Sequence, residues 1–470
     1  MRPKTTLPPI RTVADLAGRR AVVLGLARSG VAAARFLTGA GAVVSAYDRR
    51  PAVELADAVE ALASRPVALA LAASPAEVRE LLAGAELIVT SPSVSPRFPT
   101  TDPWLREALL GAEAAGIEVV SEVELFLRLT DARVLAVTGT KGKTTTASLL
   151  DAMLGAAGIG HQLGGNIGRP LIEEVDRLGA DEWAVVELSE LQLPTISRGA
   201  EVAVYTNIAA DHLDRHGTVE SYRAVKARLA ALSLEGSIVL NADDPGCVEL
   251  GERLGNAALH WYGLSGAHEA TVEAGWLLLG GERLLPAGEV PLPGQHMLSN
   301  VLAAALGASL AGASREAIAR AIPAFAGVPN RLERLGERDG VAWVNDSQAT
   351  IPMAAIAALD AFDPARVVLI AGGQGKGLDY TSFADAIAAR CRAVVLIGET
   401  AGELERLIAG RVPVLRAGDM DEAADLAAAA AEPGDVLVLA PAAASFDMFA
   451  DYAARGDAFR AAARARGVRP

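Results

Sequence analysis

The stretch at residues 132–158, ARVLAVTGTKGKTTTASLLDAMLGAAG, decides how the chain around it folds. Its first part is a short apolar run typical of a buried strand, and its last part is rich in alanine and leucine, as helices are. The turn between them ends in Gly-Lys-Thr, like the phosphate-binding loop G-x-x-x-x-G-K-[ST]. Only Thr140 and Lys141 separate the two glycines here, so the sequence predicts a strand, a shortened phosphate-binding loop and a helix.

This loop predicts a nucleotide site, because backbone N–H groups at the start of a helix can bind phosphate oxygens. Lys143 can neutralise charge between the β- and γ-phosphates of ATP, and the hydroxyl of Thr144 can bind Mg²⁺. A glycine turn that matches by chance is the alternative, and the strand and helix on either side argue against it. The residues expected to bind ATP here are Gly139, Thr140, Lys141, Gly142, Lys143, Thr144 and Thr145.

The composition indicates a folded protein of several domains. A single core rarely grows beyond about 300 residues, and this chain has 470, of which 51% are hydrophobic. A net charge of -14 argues against a nucleic-acid partner. We expect no membrane span, since no apolar run reaches about 20 residues, and no signal peptide at the start. The two distant cysteines fit a reducing cytoplasm.

Short β-branched runs alternate with alanine-rich helical stretches along the chain, which predicts an α/β fold with parallel sheets. Three blocks of this kind are visible, and we place their limits at 1–121, 122–327 and 328–470. Ligands of such sheets bind at the carboxyl ends of the strands. The loops that follow strands are therefore where candidate site residues are expected.

The first block contains GLARSG at 25–30, an imperfect version of the G-x-G-x-x-G turn that binds dinucleotides. Asp48 ends the next strand, as an acid of that motif does, but Ala27 replaces the glycine that lets the backbone approach a pyrophosphate. Arg28 and Ser29 add phosphate donors to the turn. We interpret it as a site for a nucleotide or nucleotide sugar, with a nicotinamide dinucleotide or a purely structural turn as alternatives.

The second block offers ligands for the metal ion that accompanies a bound nucleotide. Glu187 ends the strand WAVVE, and His212 follows the strand VAVYT. In a parallel sheet both would emerge at the same edge as the loop, near Thr144. Taken alone, each is more often a solvated strand end or a loop histidine, and Lys226 on the next helix has the pattern of a surface lysine.

The third block has polar residues after strand-like runs that could line one site. They are Asp346 in VNDSQAT, Lys376 in AGGQGKGLDY and Ser445 in PAAASFDMF. For any one of them, the alternative is an ordinary turn residue.

Together, the motifs resemble the Mur ligases, a family of ATP-dependent enzymes that form amide bonds in peptidoglycan precursor synthesis. In that family G-x-x-G-K-[ST] is the normal form of the loop, so its shortness is not damage. The motifs that carry the resemblance are GTKGKTT (139–145), GGNIGRP (164–170), ELSELQL (187–193), DHLDRHG (211–217), NADDP (241–245), GQHMLSNVLAA (294–304), PNRLE (329–333), NDSQAT (345–350) and ASFDMF (444–449).

The resemblance implies three domains with the limits given above. A Rossmann-like N-terminal domain would bind the UDP part of a nucleotide sugar, a central P-loop-type ATPase domain would bind ATP and Mg²⁺, and a Rossmann-like C-terminal domain would bind the amino acid. The motifs are most similar to the members that add D-glutamate to UDP-N-acetylmuramoyl-L-alanine by way of an acyl phosphate. Such an enzyme would work in the cytoplasm, and we expect a monomer.

The resemblance also implies roles for individual residues. Lys143, Asn166, His212 and Lys226 would carry the chemistry, with Lys226 as a carbamate. The metal set implied for Mg²⁺ is Thr144, Glu187, His212 and Lys226, and the residues implied for ATP beyond the loop are Asn300, Arg331 and Asp346. The residues implied for the substrate are Asn166, Ser189 and Gln192 along the muramoyl-peptide path, and Arg28, Ser29, Asp48, Arg49 and Ser91 around the UDP part. The residues implied for the incoming amino acid are Lys376, Ser445, Phe446 and Tyr452.

The sequence departs from the family pattern where amino-acid choice is decided. Gln348 replaces the lysine of NDSKAT, which would help to hold a carboxylate of glutamate, and Glu190 lies where ELSSFQL is common. L-glutamate or another amino acid is therefore the alternative to D-glutamate. An NAD-dependent oxidoreductase would leave the loop unexplained, and a non-catalytic nucleotide sensor would not need the complete metal set.

Overall fold

The computed structural model describes residues 10–92, 94–97, 101–209, 218–255, 257–291, 294–362, 366–375 and 378–469. The chain divides into two compact units, Met1–Phe325 and Ala326–Pro470. Among the described residues, the first unit contains two β-sheets and the second unit contains one. The α/β class predicted from the sequence is confirmed.

The first sheet is parallel throughout. Its strands are β1 Arg20–Leu24, β2 Val43–Asp48, β3 Val67–Leu71, β4 Leu87–Thr90 and β5 Glu118–Ser121, and its helices are α1 Arg28–Gly39, α2 Ala56–Leu62, α3 Pro75–Ala83 and α4 Pro103–Ala114. The strand order β3-β2-β1-β4-β5 is that of a Rossmann sheet. Side chains of α1 and α2 pack on one face and those of α3 and α4 on the other.

The second sheet has nine strands, in the order β14-β13-β12-β11-β10-β9-β6-β8-β7. The strands are β6 Arg133–Thr138, β7 His161–Gly165, β8 Trp183–Glu187, β9 Val202–Tyr205, β10 Ser237–Asn241, β11 Ala258–Gly263, β12 Ala270–Glu273, β13 Trp276–Leu279 and β14 Glu282–Pro286. The helices that accompany it are α5 Glu122–Leu129, α6 Lys143–Ala156, α7 Val219–Leu232, α8 Pro245–Leu254, α9 Gln295–Leu310 and α10 Arg315–Ala324.

One edge of this sheet differs from the all-parallel prediction, because β12, β13 and β14 form antiparallel pairs. Two-residue turns join these strands. Ala274 and Gly275 both have positive φ (49° and 79°), as do Gly280 and Gly281 (61° and 78°). Turns of this backbone type match the twist of paired strands and give hairpins rather than crossovers.

Helix α5 joins the first two sheets into one hydrophobic core. A single cluster of buried side chains runs from Ile10 to Leu250 and includes residues of both sheets. The side chain of Glu124 is fully buried and accepts hydrogen bonds from the backbone and hydroxyl of Ser197 (2.7 and 2.5 Å). The predicted boundary at residues 121 and 122 therefore falls within a shared core, at the start of α5.

The carboxyl group of Glu122 predicts a pH dependence of stability. Burial raises the pKa of Glu122 to about 7, although the N–H of Ile172 donates to its Oε1 (3.0 Å) and lowers it. A pKa raised in the folded state means that stability is present at low pH and is lost as pH rises from the unfolded value towards 7. We expect Glu122→Gln to be more stable than wild type at pH 8 by on the order of 2 kcal/mol, and no more stable at about pH 4, below the unfolded pKa. Urea unfolding at both pH values measures this, and an equal difference at the two would contradict it.

The third sheet makes up the core of the second unit, in the order β15-β16-β20-β17-β18-β19. Its strands are β15 Glu333–Arg338, β16 Val341–Asn345, β17 Val367–Gly372, β18 Cys391–Ile397, β19 Val414–Arg416 and β20 Val436–Leu439, and its helices are α11 Pro352–Leu359, α12 Thr381–Arg390, α13 Ala401–Ile408, α14 Met420–Ala430 and α15 Tyr452–Ala465. Only β15 runs antiparallel to its neighbour within this described part. In the parts of the chain that the structure describes, no helix is both long and apolar enough to cross a membrane.

Candidate active site

The short glycine-rich loop lies between the ends of two neighbouring strands. Strand β6, which leads into it, pairs with β8 on one side and β9 on the other. The register places Val137 beside Glu187 and Thr138 beside Tyr205. Gly139 is the first residue after β6, so the loop begins where all three strands end, as the sequence predicts.

Two glycines allow the loop its tight path. Gly139 has φ +150°, and a Cβ there would overlap the Oγ1 of Thr206. Gly142 has φ +82°, and a Cβ there would overlap the Oδ1 of Asn300. Other residues are strained at such angles, so neither position accepts a side chain without displacing its neighbour.

Two of the three lysines predicted in this site, Lys143 and Lys226, bond the loop backbone through their side chains. The Nζ of Lys143 donates to the carbonyl oxygens of Gly139 and Thr140 (3.0 Å each). Lys226 is completely buried, and its Nζ donates to the carbonyl oxygen of Gly139 (2.9 Å) and to the Oγ1 of Thr138 (3.3 Å). The pattern of a surface lysine was therefore misleading, because α7 packs Lys226 against the loop.

Glu187 has the properties of a metal ligand. Its side chain is 1% exposed, and its Oε1 accepts a hydrogen bond from the Nδ2 of Asn166 (2.9 Å). Its Oε2 is buried and has no hydrogen-bond partner among the described residues. A buried carboxylate oxygen is costly without a partner, and a hard cation such as Mg²⁺ takes oxygen ligands of this kind.

The remaining members of the predicted metal set are only partly visible. Thr144 is the second residue of α6 and half-buried. His212 lies outside the described residues. Within the described ranges, no group of three or more His, Cys, Asp or Glu side chains could hold a metal ion. Glu187 and Thr144 fit Mg²⁺ in their chemistry, and the full set remains a prediction.

Two residues that the sequence reasoning missed support the loop from β9. The Oγ1 of Thr206 donates to the carbonyl oxygen of Lys141 (2.6 Å), and the amide of Asn207 bonds both the N–H and the C=O of Lys141 (2.9 and 3.0 Å). Their signal was the pair Thr-Asn directly after the strand VAVY, in a loop where polar residues were expected.

Asn300, predicted to contact ATP, lies beside the start of α6. It is buried on α9, and its Oδ1 accepts a hydrogen bond from the Oγ1 of Thr146 (3.4 Å). Its contact with Gly142 places it at the position where the loop becomes a helix.

A second site lies at the carboxyl ends of the first sheet, in a cavity of about 460 Å³. Asp48, Arg49 and Ser91, all predicted for the UDP part, line it, together with Leu191 of the ELSELQL segment. Arg28 and Ser29 are not among its lining residues, which are all described. They lie at the start of α1, and the Nη1 of Arg28 donates weakly to the carbonyl oxygen of Gly168 (3.5 Å).

Asp48 is held in place by Arg50, which the sequence reasoning did not name. The Nε and Nη2 of Arg50 donate to the two carboxylate oxygens of Asp48 (3.0 Å each), and the N–H of Leu26 donates to Oδ2 (2.8 Å). Burial alone would raise the pKa of Asp48, but these hydrogen bonds lower it below its ordinary value. Asp48 is therefore a fixed anion at the cavity wall.

Ser189 and Gln192, predicted for the muramoyl-peptide path, bond each other. The Oε1 of Gln192 accepts hydrogen bonds from the N–H and the Oγ of Ser189 (3.0 and 2.9 Å). The Nε2 of Gln192 is buried and lacks a partner in the described part of the chain. Gln192 therefore orients Ser189, and its amide nitrogen, which carries two N–H donors, can bond another group.

In the second unit, Asp346 follows β16 and its Oδ1 accepts a hydrogen bond from the N–H of Leu332 (3.0 Å). Burial raises the pKa of Asp346 to about 6, while that hydrogen bond and the charge of Arg331 lower it. The structure thus brings Asp346 and the segment that carries Arg331 together, and the contact of either residue with ATP stays a prediction.

The residues predicted to bind the incoming amino acid differ in exposure and lie in different segments of the second unit. Ser445 is buried and Phe446 is 66% exposed. Tyr452 begins α15, and its carbonyl oxygen accepts a hydrogen bond from the Oγ of Ser347 (2.7 Å). Lys376 lies outside the described residues. Whether these side chains share a site therefore stays a prediction.

The fold and the loop define an α/β protein with a phosphate-binding motif. Comparison with known families shows to which family it belongs. Three family models match: the Mur ligase MurD-like N-terminal domain at 19–121, the Mur ligase middle domain at 137–308, and the Mur ligase glutamate ligase domain at 330–443. The chain belongs to the Mur ligase family.

Two relatives and one solved structure illustrate this. The UDP-N-acetylmuramoylalanine–D-glutamate ligase of Solibacter usitatus is 42% identical over 449 residues, which cover 95% of this chain and 97% of that protein. The ligase of the same name from Acidobacterium capsulatum is 40% identical over 458 residues, covering 95% and 96%. The UDP-N-acetylmuramate-alanine ligase of Thermotoga maritima has a TM-score of 0.56 at 18% identity, over 95% of this chain and 100% of that one, which is a likeness of fold.

Proposed function

We propose that the protein is an ATP-dependent ligase that joins D-glutamate to UDP-N-acetylmuramoyl-L-alanine. The observation that carries this is the meeting of the short phosphate loop, Glu187 and Lys226 at one sheet edge. Relatives with 40% identity or more over 95% of the chain are named for this activity, which supports the choice of substrates.

In the proposed reaction, the alanyl carboxylate attacks the γ-phosphorus of ATP, the bond from that phosphorus to the β–γ bridging oxygen breaks, ADP leaves, and an acyl phosphate forms. The amine of glutamate then attacks the acyl carbon, and phosphate leaves. Lys143 would stabilise the negative charge that develops on the transferred phosphoryl group. The N–H groups of the first turn of α6, which lack intrahelical partners, would bind phosphate oxygens.

Mg²⁺ would be held by Thr144 and Glu187, together with His212 and a carbamate on Lys226. When bound, it would supply positive charge to the phosphate oxygens. The buried Oε2 of Glu187 without a hydrogen-bond partner in the described part of the chain supports this assignment. Asn166 would keep Glu187 in place through its bond to Oε1.

The cavity of the first sheet would receive the UDP part of the substrate. Asp48 would accept hydrogen bonds there as a fixed anion, and Arg49 would supply positive charge at the same wall. The N-terminal, central and C-terminal blocks would bind nucleotide sugar, ATP and amino acid in that order. Because Gln348 replaces a lysine, L-glutamate is the alternative acceptor to test.

Phosphate release by the purified protein tests this function. We expect release from ATP and Mg²⁺ only when UDP-N-acetylmuramoyl-L-alanine and D-glutamate are both present. Matched reactions with L-glutamate, with L-alanine and without amino acid are the controls. Release that depends on L-glutamate alone would change the assigned substrate, and no release with either enantiomer would refute the assignment.

A further inference from the structure

The backbone of Lys141, in the middle of the loop, is bonded by residues at the end of β9. Its N–H donates to the Oδ1 of Asn207 (2.9 Å), and its carbonyl oxygen accepts from the Nδ2 of Asn207 (3.0 Å). The same carbonyl oxygen accepts from the Oγ1 of Thr206 (2.6 Å). The side-chain amide of Asn207 therefore bonds both the N–H and the C=O of Lys141, which are the groups that the backbone of a paired strand would bond.

Backbone bonds continue this ladder towards β6. The N–H of Thr206 donates to the carbonyl oxygen of Thr138 (3.0 Å), and the N–H of Thr140 donates to the carbonyl oxygen of Asn207 (2.9 Å). The pairing of β6 with β9 thus extends past the strand ends and along the loop. Its last step is made by the side chain of Asn207.

This arrangement matters because the loop is short. A loop with fewer residues has fewer of its own N–H groups and internal bonds to define its shape. The bonds to Lys141 fix the peptide that precedes Gly142, whose φ of +82° leads directly into α6. They therefore set the direction of the first N–H groups of that helix, which bind phosphate in sites of this kind.

We propose that Asn207, assisted by Thr206, is a positioning residue for ATP that acts through the backbone of Lys141. This inference rests on the proposed use of ATP. Asn207 is half-buried and bonds the loop rather than extending beyond it. Its role is to hold the phosphate-binding N–H groups in the geometry that ATP requires.

Binding of ATP and of UDP to purified variants, measured by calorimetry, tests the inference. We expect Asn207→Ala to weaken ATP binding about tenfold, because it removes two hydrogen bonds that keep the loop in shape. Thr206→Val, which keeps the side-chain volume, should weaken it about threefold. Both variants should bind UDP within about twofold of wild type, since the first-sheet cavity is separate.

Asn241→Ala is a matched control. The Nδ2 of the buried Asn241 donates to the carbonyl oxygen of Thr206 (2.9 Å), so it makes a bond of the same kind to the same segment. Within the described residues, no hydrogen bond joins the side chain of Asn241 to the loop backbone, so this variant should leave ATP binding within about twofold of wild type. Circular dichroism checks folding, and Thr206→Val decides if Asn207→Ala does not fold.

The outcomes separate the two proposals. Wild type that binds no ATP would overturn the proposed function, and this inference with it. If wild type binds ATP and both Asn207→Ala and Thr206→Val bind it equally tightly, the inference is overturned and the proposed function is not. An equal loss in Asn241→Ala and Asn207→Ala would overturn it as well, because the effect would then reflect general loosening of β9.

Discussion

Lys143→Met is expected to lower the turnover number of ligation about 10³-fold, because it removes the positive charge that stabilises the transferring phosphoryl group. Methionine keeps an unbranched apolar stem and lacks the terminal nitrogen. The Nζ of Lys143 already lies within hydrogen-bonding distance of the carbonyl oxygens of Gly139 and Thr140. The substitution therefore removes charge at the loop without opening a cavity in a core.

Lys141→Ala is the matched control, since it removes a lysine from the same loop. The loop uses the backbone of Lys141, through its bonds to Asn207, and its side chain is exposed. We expect at most about a fivefold change in turnover. Initial rates of phosphate release at saturating ATP measure both variants. Equal losses in the two would mean that net charge, rather than the position of Lys143, decides the rate.

The sequence predicted the loop site because its signals are local. The run 132–158 contains strand, loop and helix in order, and the structure has β6, the loop and α6 there. Parallel pairing then brings Glu187 beside the strand that leads into the loop, as the rule on strand ends predicts. The same reasoning placed Asp48 at the end of β2, where the structure has it, and its contact with a ligand stays a prediction.

Other parts of the site depend on contacts that no local pattern encodes. Asn207 bonds Lys141 across 66 positions, and the buried state of Lys226 depends on how α7 packs on the loop. The antiparallel edge of the second sheet was missed although Gly280 and Gly281 mark a hairpin turn. The contacts of Asn207 with Lys141 and of Lys226 with the loop follow from tertiary packing, so only a structure shows them.

Arg455 is a further residue of this kind, and nothing in the alanine-rich sequence of α15 distinguishes it from its neighbours. Its side chain is completely buried. Its Nε donates to the Oγ of Ser347, and its two terminal nitrogens donate to the carbonyl oxygens of Ser347, Ala443 and Ala444 (3.0 to 3.2 Å). It therefore ties the loop after β16 to the loop after β20.

Arg455→Met is expected to reduce the free energy of unfolding of the second unit by about 3–5 kcal/mol. Burial lowers the pKa of Arg455 to about 10, which shows that its charge is itself held at a cost. Removing that charge regains part of the cost. It also leaves several buried carbonyl oxygens without their donor, and that loss is the larger one because each unsatisfied group costs about 1–3 kcal/mol.

Hydrogen exchange of β16 and β20 in urea measures this change in the second unit alone. Arg464→Met is the matched control, since Arg464 lies on the same helix but is exposed, and it should change stability by less than about 0.5 kcal/mol. Arg455→Lys keeps the positive charge but has fewer N–H donors, so its loss of unfolding free energy should lie between those of Arg464→Met and Arg455→Met. Asp346 and Ser445 lie on the two loops that Arg455 joins. Ligation activity should therefore fall in the same variants in which the amides of β16 and β20 lose protection against hydrogen exchange. Unchanged exchange in Arg455→Met would show that solvent or neighbouring groups satisfy those carbonyls, and would contradict this role.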